Sequence, residues 1–202
     1  MKSIALERNG KITPYGKYGH LSVSGRYLVD EKGNHVVLKG VSTHNISIYP
    51  EYVNSDCFAT FADYGASIMR LAMYSANADD VDGYADGTEE HRKELEELIL
   101  KGVQVCADLG LYCMVDWHIL FDYDPNMHID MALRFWKTMC PILKEYDNVI
   151  IEICNEPCMN FDTGYKTTWD EIKNFANQVI PVIREIDDSK IIIVGTPCWS
   201  QD

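Results

Sequence analysis

Apolar and polar positions along this chain fall into two alternating kinds of segment. One kind is short and nearly continuous in apolar, often β-branched residues: 36–42, 67–74, 112–118, 149–154 and 191–195. Runs of that length between turn residues predict strands buried on both faces, as in a parallel sheet. The other kind repeats its apolar residues every three or four positions. Across 89–108, Leu95, Ile99, Val103 and Cys106 share one face, and Gly110 follows where a left-handed C-cap would stand. Thr168 with Glu171 three residues on predicts a capping box, and Ile172, Phe175, Val179, Ile183 and Ile186 then point inward. Pro141 and Pro181 lie in otherwise helical windows and predict a kink or break at each. Ahead of this series, 21–23 and 26–29 flank Ser24-Gly25 and predict a β-hairpin. Residues 1–20 read as an irregular lead, and 21–202 as one domain.

The series is βαβαβαβαβ, whose crossovers require a parallel sheet covered by helices. A doubly wound sheet and a (β/α)8 TIM barrel both fit. No G-x-G-x-x-G or Walker loop follows any strand, which removes the usual mark of a nucleotide-binding doubly wound fold. Polar and aromatic groups instead gather at several strand ends: Thr43-His44, Arg70 to Tyr74, Asp116-Trp117-His118, Asn155-Glu156 and Trp199. Chemistry drawn from many strand ends is the barrel pattern. The expected fold is therefore α/β, a (β/α)8 barrel truncated after about the fifth strand, with an N-terminal hairpin.

Eighteen basic against 31 acidic residues give a net charge of −13, which argues against nucleic acid or an anionic membrane as partner. No apolar run is long enough to span a bilayer, and the opening Met1-Lys2-Ser3-Ile4-Ala5-Leu6-Glu7-Arg8 does not read as a signal peptide. Seven cysteines form no zinc-like pair. Most are expected to be small core residues, and nothing in the chain calls for a metal or cofactor.

The run Val149 to Cys154 stops at Asn155-Glu156-Pro157, where Pro157 cannot continue a ladder. A buried strand ending this way lifts an amide and a carboxylate out of a core. An acid in an apolar surround keeps its proton towards neutrality, so such a carboxylate is a candidate proton donor. Arg70 sits in an apolar strand, where an unpaired guanidinium is costly; Glu152 is its candidate buried partner.

Five motifs in order resemble glycoside hydrolase family 5, in its bacterial endoglucanase branch. They are Leu38-Lys39-Gly40-Val41-Ser42-Thr43-His44, Met69-Arg70-Leu71-Ala72-Met73-Tyr74, Val115-Asp116-Trp117-His118-Ile119-Leu120, Ile153-Cys154-Asn155-Glu156-Pro157, and Ile193-Val194-Gly195-Thr196-Pro197-Cys198-Trp199-Ser200-Gln201-Asp202. The resemblance implies a retaining endo-β-1,4-glucanase, secreted, acting on β-1,4-glucan or cello-oligosaccharides. It implies Glu156 as acid/base, Asn155 on the sugar 2-hydroxyl and Arg70 orienting the nucleophile. By the same resemblance His118 and His44 bond hydroxyls and the catalytic carboxylates. Tyr74 and Trp199 suit sugar stacking, although Tyr74 could equally cap the core.

Two departures matter. Ile48 stands where the branch usually carries a distal Trp platform, which predicts a weaker far subsite unless Tyr49 takes over. The family's nucleophile is a Glu on a seventh strand, expected to lie outside this chain; Asp116 is the nearest substitute by position. An unclosed barrel is expected to self-associate through its open edges. A β-mannanase or xyloglucan-active relative, and an inactive barrel fragment, remain open alternatives.

Overall fold

The computed structural model describes residues 1–202. Its lead is ordered, not irregular. β1 (Glu7–Arg8) pairs antiparallel with β2 (Lys11–Ile12) across Asn9 and Gly10, whose φ angles are 52° and 71°. Asn-Gly adopts such a tight turn at little cost. Thr13 then caps α1 (Pro14–Tyr18) by accepting the Gly16 amide, with Pro14 at the first helical position. These elements are too short to show a repeating apolar face, with only Tyr15 and Tyr18 of α1 packing in part against the core, so hydrophobic periodicity passes over them. β3 (Ser22–Ser24) and β4 (Tyr27–Val29) form the expected hairpin.

The central sheet is parallel throughout: β5 (Gly40–Ser42), β6 (Ile68–Tyr74), β7 (Tyr112–His118), β8 (Val149–Cys154) and β9 (Ile192–Val194). Its spatial order is the chain order, with each new strand added on the same side. A doubly wound sheet reverses that order at a switch point; this one does not. The crossovers are α2 (Ser55–Asp63), α3 (Glu89–Leu109), α4 (Ile129–Leu143) and α5 (Trp169–Ile186). The architecture is a truncated (β/α) barrel, with the outer edges of β5 and β9 carrying no further strand.

β7 and β8 occupy their expected positions, while β5 is shorter than its apolar run. Val36 donates to Leu28 of the hairpin, and the Lys39 amide goes to the Ser67 hydroxyl, so 36–39 is spent before the ladder begins. Gly40 is required where β5 meets β6, because a Cβ there would strike the Ile68 carbonyl. β9 is shortened by a register irregularity opposite Glu152 and Cys154.

Of the kink or break expected at Pro141 and Pro181, the break does not occur: α4 and α5 run through both positions. Both prolines are exposed. The carbonyls they leave unbonded, four residues earlier at Lys137 and Asn177, can turn to water on that face. α3 ends on Gly110 at φ 65°, and α5 begins with the Thr168–Glu171 capping box, both as read from the sequence.

Alternation along the strands gives the sheet two unlike faces. Met69, Leu71 and Met73 of β6, Cys113, Val115 and Trp117 of β7, and Val149, Ile151 and Ile153 of β8 share one apolar core with the helices. The opposite face carries Arg70, Asp116 and Glu152. Register places Asp116 beside Glu152 and, across the other neighbour, beside Ala72, two residues beyond Arg70.

Candidate active site

The inner face is organised around one guanidinium. Arg70 Nε donates to Glu152 Oε2 at 2.6 Å, Nη1 to Ser42 Oγ at 3.2 Å, and Nη2 to Asn155 Oδ1 at 2.5 Å. Nη2 also lies 2.9 Å from Asp116 Oδ2. Residues from four consecutive segments, β5 to the end of β8, thus converge on a side chain that sequence reading paired with Glu152 alone. A half-buried cation facing two carboxylates and two neutral acceptors meets the condition under which burying charge is tolerated.

Fixing Asn155 fixes its neighbours. Because Arg70 donates to Oδ1, Nδ2 must be the donor towards Ile119 O at 3.1 Å and His118 Nε2 at 3.2 Å. His118 Nε2 is then the acceptor, and Nδ1 carries the proton donated to Asp116 Oδ2 at 2.6 Å. His118 is neutral: burial first, then the Arg70 guanidinium, lowers its pKa to about 3. Burial pushes Asp116 up to about 8, with Arg70 opposing and Glu156 reinforcing the shift. Glu152 is raised by burial and by Asp116, against its bond to Arg70.

The three carboxylates differ in access. Asp116 is 0% and Glu152 8% exposed, and both are engaged by Arg70. Glu156, one residue past the amide that β8 delivers, is partly exposed. Glu156 is thus the one that a ligand over the strand ends can reach. Asp116 cannot stand in for a nucleophile, because Oδ2 already faces Arg70 and His118, while Oδ1 is buried without a partner.

Tyr74 and His118 are register partners, and their rings stack at 4.1 Å and 8°. Tyr74 is only 7% exposed, with His44 5.9 Å away on a tilted plane. That ring is therefore spent on His118 and suits the core-cap reading better than sugar stacking. His44 is exposed at the end of β5, edge-on to Tyr49 at 5.7 Å. Thr43 extends the ladder beneath it, its amide donating to Arg70 O and its hydroxyl accepting the Ala72 amide.

Trp199 follows β9 in a turn where Cys198, Trp199 and Ser200 have φ of 56°, 58° and 59°. Three successive left-handed residues are costly and need holding. The Trp199 amide donates to Pro157 O at 3.2 Å, and Ser200 Oγ donates to Asn155 O at 3.0 Å. The turn is thereby tied to the segment carrying Glu156. The Trp199 ring stacks on Phe161, a residue that sequence reading missed because a single Phe in a polar loop has no periodic signal.

Comparison with known proteins follows this geometry. The family model for cellulase (glycosyl hydrolase family 5) matches residues 29–202. Endoglucanase A of Butyrivibrio fibrisolvens is 43% identical over 186 residues, covering 92% of this chain and 41% of its own length. Endoglucanase E-5 of Thermobifida fusca is 38% identical over 192 residues, covering 95% and 38%. The crystal structure of the catalytic domain of the Thermobifida fusca endoglucanase superposes with a TM-score of 0.82 at 36% identity, over 93% of this chain and 57% of that one. A variant of the same domain in complex with cellotetraose is similar, with a TM-score of 0.78. The chain thus spans well under two thirds of the proteins it matches.

Proposed function

The chain belongs to glycosyl hydrolase family 5, the cellulase family, and from that premise we propose that it supplies the acid/base half of a retaining endo-β-1,4-glucanase site. The observation that carries this reading is the unequal access of three carboxylates, with Glu156 open and Asp116 and Glu152 held behind Arg70. Glu156 protonates the departing glycosidic oxygen and later deprotonates the attacking water. Asn155 turns one Nδ2–H to the sugar 2-hydroxyl, exchanging its longer bond to His118. His44 and His118 meet further hydroxyls, and Trp199 offers a ring to a sugar face.

Retaining chemistry needs a second carboxylate about 5–5.5 Å from the first. With Asp116 and Glu152 committed, that nucleophile is proposed to lie outside these 202 residues, on the missing part of the barrel. The spare Nη1 hydrogen of Arg70 is available to orient it. The substrate is a β-1,4-glucan met outside the cell. Residues 1–202 alone are proposed to lack turnover and to associate through the bare edges of β5 and β9. Light scattering on the isolated chain should show oligomers, and a monodisperse monomer contradicts this.

Proton NMR of cellopentaose hydrolysis by the complete enzyme tests the main reading. The first product formed should be the β-anomer, from cuts at internal bonds. Initial α-anomer, or release of single terminal glucose units only, overturns it.

A further inference from the structure

The loop that follows β7 carries a buried carboxylate that the chemistry proposed above leaves unused. Asp122 is 1% exposed, and burial raises its pKa against the bonds it accepts. Oδ2 accepts the Ser75 hydroxyl at 2.7 Å, and Oδ1 accepts the Leu120 amide at 3.0 Å. Ser75, buried one residue past β6, is itself fixed, its amide donating to His118 O at 3.1 Å. A carboxylate in such surroundings costs free energy, and its two bonds hold one particular peptide in place.

We propose that Asp122 is a positioning residue for Asn155, acting through the peptide between Ile119 and Leu120. The assignment rests on the glucanase reading above, in which Asn155 meets the sugar 2-hydroxyl. Both polar ends of that peptide are engaged. Its N–H, on Leu120, goes to Asp122, and its C=O, on Ile119, accepts Asn155 Nδ2 at 3.1 Å. A trans peptide is planar with its N–H and C=O opposed, so fixing the direction of one fixes the other. Arg70 holds Asn155 Oδ1, and Ile119 O holds one of the two Nδ2 hydrogens. The side-chain amide is thereby set from both ends, and its second hydrogen is aimed. That hydrogen, directed to His118 Nε2 at 3.2 Å, is the one proposed to turn to the 2-hydroxyl. Bonds linked in series in this way also polarise one another. Without Asp122 the 119–120 peptide loses the bond that sets its plane, and Asn155 loses a fixed acceptor.

The test measures what the complete enzyme gains from the 2-hydroxyl. 2,4-Dinitrophenyl β-cellobioside is compared with its analogue lacking the 2-hydroxyl on the glucosyl unit next to the dinitrophenolate. The parent enzyme should favour the hydroxylated substrate in kcat/KM. Asp122→Ala should lower kcat/KM on that substrate roughly tenfold, in keeping with one misaligned hydrogen bond, and leave the 2-deoxy analogue within about twofold. Asp122→Asn should restore the parent's ratio, since its Oδ1 still accepts the Leu120 amide and its Nδ2 donates to the Ser75 hydroxyl. Ser75→Ala, which removes the anchor and keeps the Leu120 bond, should show the same pattern more weakly, and decides the matter if Asp122→Ala does not fold. Equal losses on the two substrates, or no loss on either, overturn the assignment while leaving the glucanase reading intact. A parent enzyme that cleaves neither substrate, or both equally well, overturns instead the reading of Asn155 at the 2-hydroxyl, and the assignment with it.

Discussion

The two faces of the central sheet are made by the same strands and held by different physics. On the helix side, Trp117 of β7 packs among Tyr84 and Phe135, with ring centroids 5.6–5.7 Å apart. That face is stabilised by burial, which is non-directional and tolerates change of shape better than change of volume. On the other face, Asp116, the residue before Trp117, is fixed by Arg70 and His118 at 2.9 and 2.6 Å. Removing one partner there leaves a buried hydrogen-bonding group without compensation. The fold's stability therefore belongs chiefly to the outer face, and the inner face spends some of it on aiming side chains.

The largest expected effect follows from that contrast. Arg70→Met strands Glu152 and Asp116 and should cost on the order of 3–5 kcal/mol in urea unfolding. Ile151→Val, one position earlier in β8 on the apolar face, should cost about 1 kcal/mol. Similar losses at the two sites would erase the distinction drawn between the faces.

The next effect is on pH dependence. An unfolded His118 takes a proton near 6.5 while the folded one resists to about 3, so its contribution to stability rises with pH across that window. A folded Asp116 keeps its proton to about 8 while the unfolded one releases it near 3.8, so its contribution falls as pH rises between those values. Glu152 adds to the fall. From about pH 4 to 6.5 the two groups oppose each other, and above 6.5 the decline stands alone. Urea midpoints should drop between pH 6.5 and 8, and Asp116→Asn should flatten that drop. A midpoint that climbs over the same interval contradicts the assignment.

How much of this was legible in the sequence depended on whether a residue's partners were near it in the pattern. β7 and β8 were readable because their continuous apolar runs end at polar groups. Thr168 and Gly110 were readable because caps are local. The lead was not, since its Asn-Gly turn and Thr13 cap hold elements with little apolar face. Arg70 announced that it needed a counter-charge, but whether Glu152, Asp116 or both would meet it depends on strand register, which no local pattern carries. Tyr74 was legible equally as a sugar platform or a core cap, because its stacking on His118 comes from strand register. Phe161 was invisible, because its meaning comes from Trp199, 38 positions away in the chain.

The smallest expected effect concerns the distal end of the cleft. Ile48 is half-buried beside exposed Tyr49 and gives little area for stacking. Ile48→Trp should tighten binding of longer cello-oligosaccharides to the complete enzyme by about 1 kcal/mol and leave the shortest substrate unaffected. Unchanged chain-length dependence would show that Tyr49 already fills that subsite.

The central claim is that the inner face holds Asp116 and Glu152 back so that Glu156 alone meets the departing oxygen. Glu156→Gln in the complete enzyme, assayed on cellopentaose and on 2,4-dinitrophenyl β-cellobioside, tests it most directly. The dinitrophenolate leaves without help, so formation of the glycosyl-enzyme should survive on that substrate and fall by roughly 10²–10⁴ on the oligosaccharide. Equal losses on the two substrates would remove Glu156 from the role of proton donor.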